Sequence, residues 1–415
     1  MRVLLHLNDL SIGGSQMNAV DLARGLRRRG VEVHLAAASP PGPLVHVIES
    51  EGLPLERLTR DRVEPGGAAA PLRELAAQLD LDLVHTFEWQ QALDALRGPY
   101  LVDGIPMVST VMTMSVPTWL PARRPLTTGT PALTDRARRH HRGPVWTLPP
   151  PVDVRRDRAD ASSAQDFRRR LGVPSDQPLV VMVSRVVPTM KLESILDAAD
   201  AVAVLGRGAV LAVVGTGPGL RCVVERAAEL NRLADTTLVH VTGELVDARP
   251  AYAAADVVIG MGGSAIRALA HGKPTIVAGT RGFAATVDEV TLPWFRHHGF
   301  YGVGTSSPGA SLRRELGRLL DDADGRAHLG EWGRGIAEQE YSLEHCTDIL
   351  AEVYARALDA PRPEARERRI ESQRVTVHRA AADVTPAPLR RVVRRAVTAT
   401  SSHRRAPNPV AGGVG

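Results

Sequence analysis

Short apolar runs alternate with helix-periodic stretches twice along this chain, on either side of the triple proline Pro149-Pro150-Pro151, and that rhythm leaves few folds open. In the first half, RVLLHL leads through the polar turn NDLSIGGS into a stretch from Gln16 to Arg29. There Met17, Val20, Leu22, Ala23 and Leu26 fall at helical spacing, and Gly30 stops the run before VEVHLAAA. Strand, helix and strand in that order make a βαβ unit, which requires a parallel sheet. LDLVHTF (81–87), PMVSTVM (106–112) and VWTL (145–148) extend it with runs of buried-strand length. PPPVDV can continue neither element and is read as the connection between two domains. Beyond it LVVMVS (179–184), AVLAVVG (209–215), TTLVHV (236–241), VVIG (257–260) and PTIVAG (274–279) repeat the pattern. The expected class is α/β, with two Rossmann-like domains of similar size, 1–150 and 151–345, facing each other across a cleft.

Charge has to be divided before it can be interpreted. The whole chain is +5, yet residues 361–415 hold twelve arginines against four acids, so residues 1–360 are net acidic. That tail loses hydrophobic periodicity and is expected to lack structure, and the body shows no basic stripe interleaved with aromatics, so no nucleic-acid partner is expected. Within the tail, PLRRVVRRAV sets Leu389, Val392, Val393, Ala396 and Val397 on one helical face and Arg390, Arg391, Arg394 and Arg395 on the other. That 389–397 segment suits a weak contact with an anionic membrane surface. Cys222 and Cys346 show no CxxC spacing, and neither a leader nor an apolar stretch of about 18 residues is visible. A cytoplasmic protein, at most peripheral to the inner face of the membrane, is expected.

Of 51 basic residues only Lys191 and Lys273 are lysines. Lys191 stands near the start of the helical stretch KLESILDAADAV, where a cation opposes the helix dipole, and Arg185 follows the strand LVVMVS. An arginine fork and a lysine point charge at a strand's carboxyl edge suit a diphosphate. Gly13 and Gly14 precede the first helix and let backbone approach a ligand, although GxGxxG is absent. Gly215 and Gly217 in GTGPG allow a tight turn. In GMGGSAIRALAHGKP, Gly263 frees the backbone and Ser264 reads as an N-cap. Arg267, in the first helical turn, meets either solvent or an anion. Asp80 and Asp82 are read as the polar entry to a strand, and His140-His141 and His297-His298 lack a third ligand, so no metal is expected.

Taken in order, GGS, ARGLRRRGVEVHLAA, LDLVHTF, LPPPVD, SRVVPTMK, VVGTGPG, VTGELVD, YAAADVVIG and ALAHGKPTIVAG resemble a family 4 glycosyltransferase of GT-B architecture over residues 1 to about 357. The resemblance implies an acceptor-binding first domain, a nucleotide-sugar-binding second domain, and a closing helix over 346–360 that returns toward the first. It implies that Arg185 and Lys191 hold the donor diphosphate, that Gly13 and Gly14 approach it, and that Gly243 and Glu244 lie against the base; Gly263 and Ser264 are further candidates for the diphosphate, and Gly215, Gly217 and Arg267 for the nucleotide or sugar. It also implies a nucleoside-diphosphate sugar as substrate, with no cofactor. The family's pair of glutamates, eight residues apart, aligns with Ile259 and Arg267, and its amino-domain histidine with Met112. No catalytic residue is therefore assigned, and retention or inversion is left open. Sugar transfer leads; nucleotide-sugar epimerisation or hydrolysis on the same scaffold, or a catalytically silent nucleotide-binding homologue, stand beside it.

Overall fold

The parallel sheet that the βαβ rhythm requires is present twice. The computed structural model describes residues 1–59, 66–305 and 309–384, divided into two compact units. One holds Met1–Pro149 together with the chain from Thr347 onward, and the other holds Pro150–Cys346.

In the first unit the strands are β1 (Arg2–Leu7), β2 (Glu32–Ala37), β3 (Leu55–Arg57), β4 (Leu83–Phe87), β5 (Met107–Val111), β6 (Leu126–Thr128) and β7 (Val145–Thr147). They lie in the order β3-β2-β1-β4-β5-β6-β7, and every pairing is parallel. Helices cover both faces of such a sheet, so its central strands bury both sides and read as unbroken apolar runs. Val3, Leu4, Leu5 and Leu7 are at most 1% exposed. His85 inside β4 is the polar exception. Its Nδ1 meets the Tyr354 hydroxyl at 2.7 Å and its Nε2 the Thr110 hydroxyl at 2.6 Å, and burial pushes its pKa down to about 3. A neutral imidazole thus fastens the helix Leu343–Asp359 to the first sheet.

The second unit contains β8 (Leu179–Val183), β9 (Val210–Val214), β10 (Val239–Gly243), β11 (Val257–Gly260), β12 (Thr275–Ala278) and β13 (Ala284–Thr286), in the order β10-β9-β8-β11-β12-β13. Only β13 runs antiparallel to its neighbour. The two ends of this unit pair with each other: Val152 N–H donates to the Tyr341 carbonyl and Leu343 N–H to the Val152 carbonyl, both at 2.8 Å.

Three differences from the sequence expectations have clear causes. Strands β3, β6 and β13 are three residues each, too short to show a period. The run TTLVHV starts its strand only at Val239, because the Asn231 side chain binds the Leu238 and Val239 N–H groups. Most of all, part of the tail expected to lack structure is a helix, Ala365–Val384. Its attachment is largely polar, which periodicity does not report. The Tyr100 hydroxyl donates to Glu371 at 2.8 Å, Arg368 donates to the carbonyls of Leu101 and Val102, and Val375 enters the core beside Leu96 and Tyr100. The 389–397 segment lies outside the described residues.

Candidate functional site

In each sheet the strand order reverses at one place, between β1 and β4 in the first unit and between β8 and β11 in the second. Loops leaving the carboxyl ends of such neighbours diverge and open a crevice, the usual ligand position in open α/β sheets. In the second unit the loops after β8 and β11 bring Arg185, Lys191 and Met261–Ser264 to one edge.

Beyond β8 the chain continues extended. Ser184 N–H bonds to the Val214 carbonyl and Val186 N–H to the Thr216 carbonyl, so residues 184–186 are zipped to the GTGPG loop. That closeness explains the glycines. A Cβ on Gly215 (φ +140°) would stand 2.0 Å from the Ser184 carbonyl oxygen, and one on Gly217 (φ +154°) 2.4 Å from that of Val186. Gly215 and Gly217, expected to meet the nucleotide or sugar, therefore first serve to hold the backbone that carries Arg185. Gly215 N–H bonds in turn to the Gly243 carbonyl, which places Gly243 and the exposed Glu244 one strand further out.

Lys191 occupies the residue before the helix Leu192–Leu205. Its ammonium is half-buried and, among the described residues, no carboxylate pairs with it. Burial, and then the nearby Arg185, lower its pKa from the ordinary lysine value. A half-buried ammonium with no carboxylate beside it, disfavoured further by a neighbouring guanidinium, is a charge that an anion would stabilise.

The loop after β11 differs from expectation. The N-cap of the helix Gly263–Ala270 is Gly262 (φ +58°), not Ser264. Ser264 lies one residue inside the helix, and its hydroxyl accepts from the Met261 N–H and donates to the Met261 carbonyl, each at 3.0 Å. A two-residue loop is too tight for Ser264 to cap from outside, so its hydroxyl closes the loop instead. Ile259, aligned with the family's first glutamate, is fully buried within β11 and reaches no ligand. Arg267, expected to meet solvent or an anionic ligand, has an internal partner: its Nε lies 3.2 Å from Asp157, a carboxylate only 6% exposed just past the proline linker. The anion that balances Arg267 is thus supplied by the chain itself.

The first unit's reversal point holds a residue that sequence reasoning missed. Gly13 is the N-cap of the helix Gly14–Arg28 and caps it with no side chain. Facing it from the end of β4 is Glu88, at φ +72° and ψ 168°, a region essentially reserved for glycine. Its buried carboxylate accepts from the Ser15 hydroxyl, the Met112 N–H and the Thr113 hydroxyl, each at 3.1 Å. Burial raises its pKa despite those donors. Glu88 thereby joins the glycine turn to the loop after β5, which begins at Met112. No sequence signal marks it, since a positive φ on a glutamate leaves no pattern.

The discounted residues have structural partners. Asp82 accepts from the Arg2 N–H and Asp80 from the Arg2 guanidinium, His141 meets the Arg124 carbonyl, and His298 stacks on Trp294. Among the described residues no three His, Cys, Asp or Glu side chains converge as a metal site needs.

Two family models match: Glycosyltransferase Family 4 over residues 12–156, and Glycosyl transferases group 1 over residues 177–321. The chain is 26% identical over 395 residues to a D-inositol 3-phosphate glycosyltransferase of Xylanimonas cellulosilytica, covering 83% of this chain and 92% of that one. It is 28% identical over 403 residues to a 2-deoxystreptamine N-acetyl-D-glucosaminyltransferase of Streptomyces fradiae, covering 81% and 90%. Among solved structures it resembles Anabaena HepE in complex with UDP-glucose, with a TM-score of 0.69 at 19% identity, covering 86% of this chain and 100% of that one, a likeness of fold alone. Two family models in tandem, relatives that act as glycosyltransferases along nearly their whole length, and paired Rossmann-like sheets agree, and the chain belongs to the family 4-like glycosyltransferases of the GT-B fold.

Proposed function

We propose that the chain transfers a sugar from a nucleoside-diphosphate sugar to an acceptor without help from a metal, its leaving diphosphate held by Arg185, Lys191 and the backbone of Gly263 and Ser264. The observation that carries this reading is the half-buried Lys191 ammonium, which no carboxylate among the described residues balances and which Arg185 further destabilises. As the bond between the anomeric carbon and the phosphate oxygen breaks, negative charge grows on the diphosphate. The diphosphate already carries charge in the donor and gains one more as the acceptor oxygen bonds to the anomeric carbon and gives up its proton, and fixed cations stabilise that added charge most. Two side-chain cations can do this work in place of a divalent ion. UDP-glucose is the first donor to test because the fold neighbour HepE holds it. Gly243 and Glu244, at the end of β10, are proposed to border the base.

We place the acceptor at the first unit's reversal point, beside Gly13, Gly14 and Glu88. Neither Cys222 nor Cys346 is joined in a disulfide, which suits a reducing cytoplasm. No helix among the described residues is long and apolar enough to cross a membrane.

Thermal shift with UDP, GDP and ADP tests the donor site. At least one nucleotide raises the melting temperature, and Lys191→Ala weakens it by roughly ten- to a hundredfold, the value of about 1.5–3 kcal/mol for a hydrogen bond to a charged group. Absence of any nucleotide response would sink the reading. Sugar released without an acceptor would point to hydrolysis instead.

A further inference from the structure

The sugar end of the donor site lacks the carboxylates that the family's pattern would place there. Ile259 is sealed inside β11, and Arg267 is held by Asp157. A sugar bound here has to be read by other side chains, and the strand order says where to find them. Along its carboxyl edge the second sheet runs β10-β9-β8-β11-β12. With Gly243 and Glu244 at the base, and Arg185, Lys191 and Gly263 at the diphosphate, a nucleotide sugar laid along that edge carries its sugar on toward the loop after β12.

That loop, residues 279–283, is tied into the site from two sides. Its Gly282 N–H donates to the Glu193 carboxylate at 2.9 Å, and Glu193 stands two residues beyond Lys191, in the first turn of the helix Leu192–Leu205. Beside the loop runs the segment 300–304. Thr280 and Val303 form a parallel bridge, with Thr280 N–H donating to the Gly302 carbonyl at 3.1 Å and Gly304 N–H to the Thr280 carbonyl at 2.9 Å. The approach is so close that a Cβ on Gly279 would stand 2.0 Å from the Gly302 oxygen. The second segment is fixed in turn to the helix Gly263–Ala270, because the N–H of its N-cap Gly262 donates to the Phe300 carbonyl at 2.8 Å. Thr280 and Tyr301 thus lie within two residues of the bonds that join these segments to the helices after β8 and β11. Their hydroxyls meet at 3.2 Å, and both side chains are half-buried. Among the described residues neither hydroxyl has another partner, although each has room for more hydrogen bonds.

We propose that Thr280 and Tyr301 form the donor's sugar subsite, their paired hydroxyls receiving a hexose hydroxyl in place of the carboxylate that Ile259 does not supply. The inference rests on the donor reading above. Two linked hydroxyls can both donate and accept, so they suit a neutral sugar hydroxyl, which does the same. Segments zipped backbone to backbone hold them in place, as discrimination between sugars by hydrogen bonds requires.

Calorimetric titration of the full chain tests this with matched ligands: UDP against UDP-glucose, GDP against GDP-mannose, and ADP against ADP-glucose. Thr280→Val and Tyr301→Phe each remove a hydroxyl with little change of shape. For the nucleotide that binds, each substitution weakens the sugar ester about three- to tenfold, the worth of one neutral hydrogen bond, and leaves the free diphosphate bound as in the parent. Unchanged diphosphate affinity also shows that the variant is folded. The outcomes separate the two readings. If no diphosphate binds the parent, the donor reading fails and this inference with it. If a diphosphate binds, and the substitutions weaken it as much as its sugar ester or weaken neither, the donor reading stands and the sugar subsite is overturned.

Discussion

The two reversal points occupy equivalent places in two similar sheets, yet they are finished in opposite ways. At the first, a strained and buried Glu88 collects three donors, so its oxygens have hydrogen-bond partners from within even though burial still penalises its charge. At the second, the half-buried Lys191 ammonium has no carboxylate partner among the described residues, and the nearby Arg185 disfavours its charge further. A polar group satisfied internally builds shape, whereas one left unsatisfied costs stability until a ligand arrives. The first edge is therefore read as a rigid rim, and the second as the place where binding energy is stored.

That contrast can be broken at several points. The largest effect is expected beneath Arg185. Gly215→Ala would drive a Cβ into the Ser184 carbonyl at a backbone angle foreign to alanine, costing about 3 kcal/mol or more and visible in denaturant melts; an unchanged midpoint would remove the glycine's structural role. Next comes Glu88→Ala, which leaves the half-buried Met112 N–H unanswered and should cost about 1–2 kcal/mol. Glu88→Gly should be less harmful than alanine by about 1 kcal/mol, because glycine relieves the strained backbone. The usual order, with alanine milder, would show that the rim is not strained.

The smallest effect is on pH. Burial raises the Glu88 pKa, so the folded state binds its proton more readily than the unfolded chain does. This group's contribution to stability grows as pH falls from the raised value toward about 4.5, and is flat below that. Subtracting the Glu88→Gln melting profile from the parent's should isolate that slope, with the opposite sign refuting the burial argument. Lys191→Ala completes the contrast, since deleting an unbalanced half-buried cation should leave stability unchanged or slightly raised while nucleotide binding falls.

Much of this was legible in the residues themselves. Apolar runs of five or six residues located the long strands, and Lys191 stood out because almost every other cation is arginine. What was hidden depended on partners distant in sequence. Arg267 looked unpaired until Asp157, 110 positions earlier, was found beside it. Ser264 looked like a cap because the spacing cannot show that the loop before it is only two residues long. Glu88 was invisible because its importance lies in a backbone angle. The helix Ala365–Val384 escaped because carbonyl and hydroxyl contacts, more than an apolar stripe, attach it.

The paired ends of the second unit bear on how such a chain can be rebuilt. Residues 150–346 form one uninterrupted stretch whose entrance and exit are hydrogen-bonded neighbours at Val152, Tyr341 and Leu343, while the first unit is assembled from two separated pieces. Wired in this way, the second unit is a cassette: it can be exchanged for that of a relative through two adjacent junctions, with the segments that make up the first unit left in their original frame.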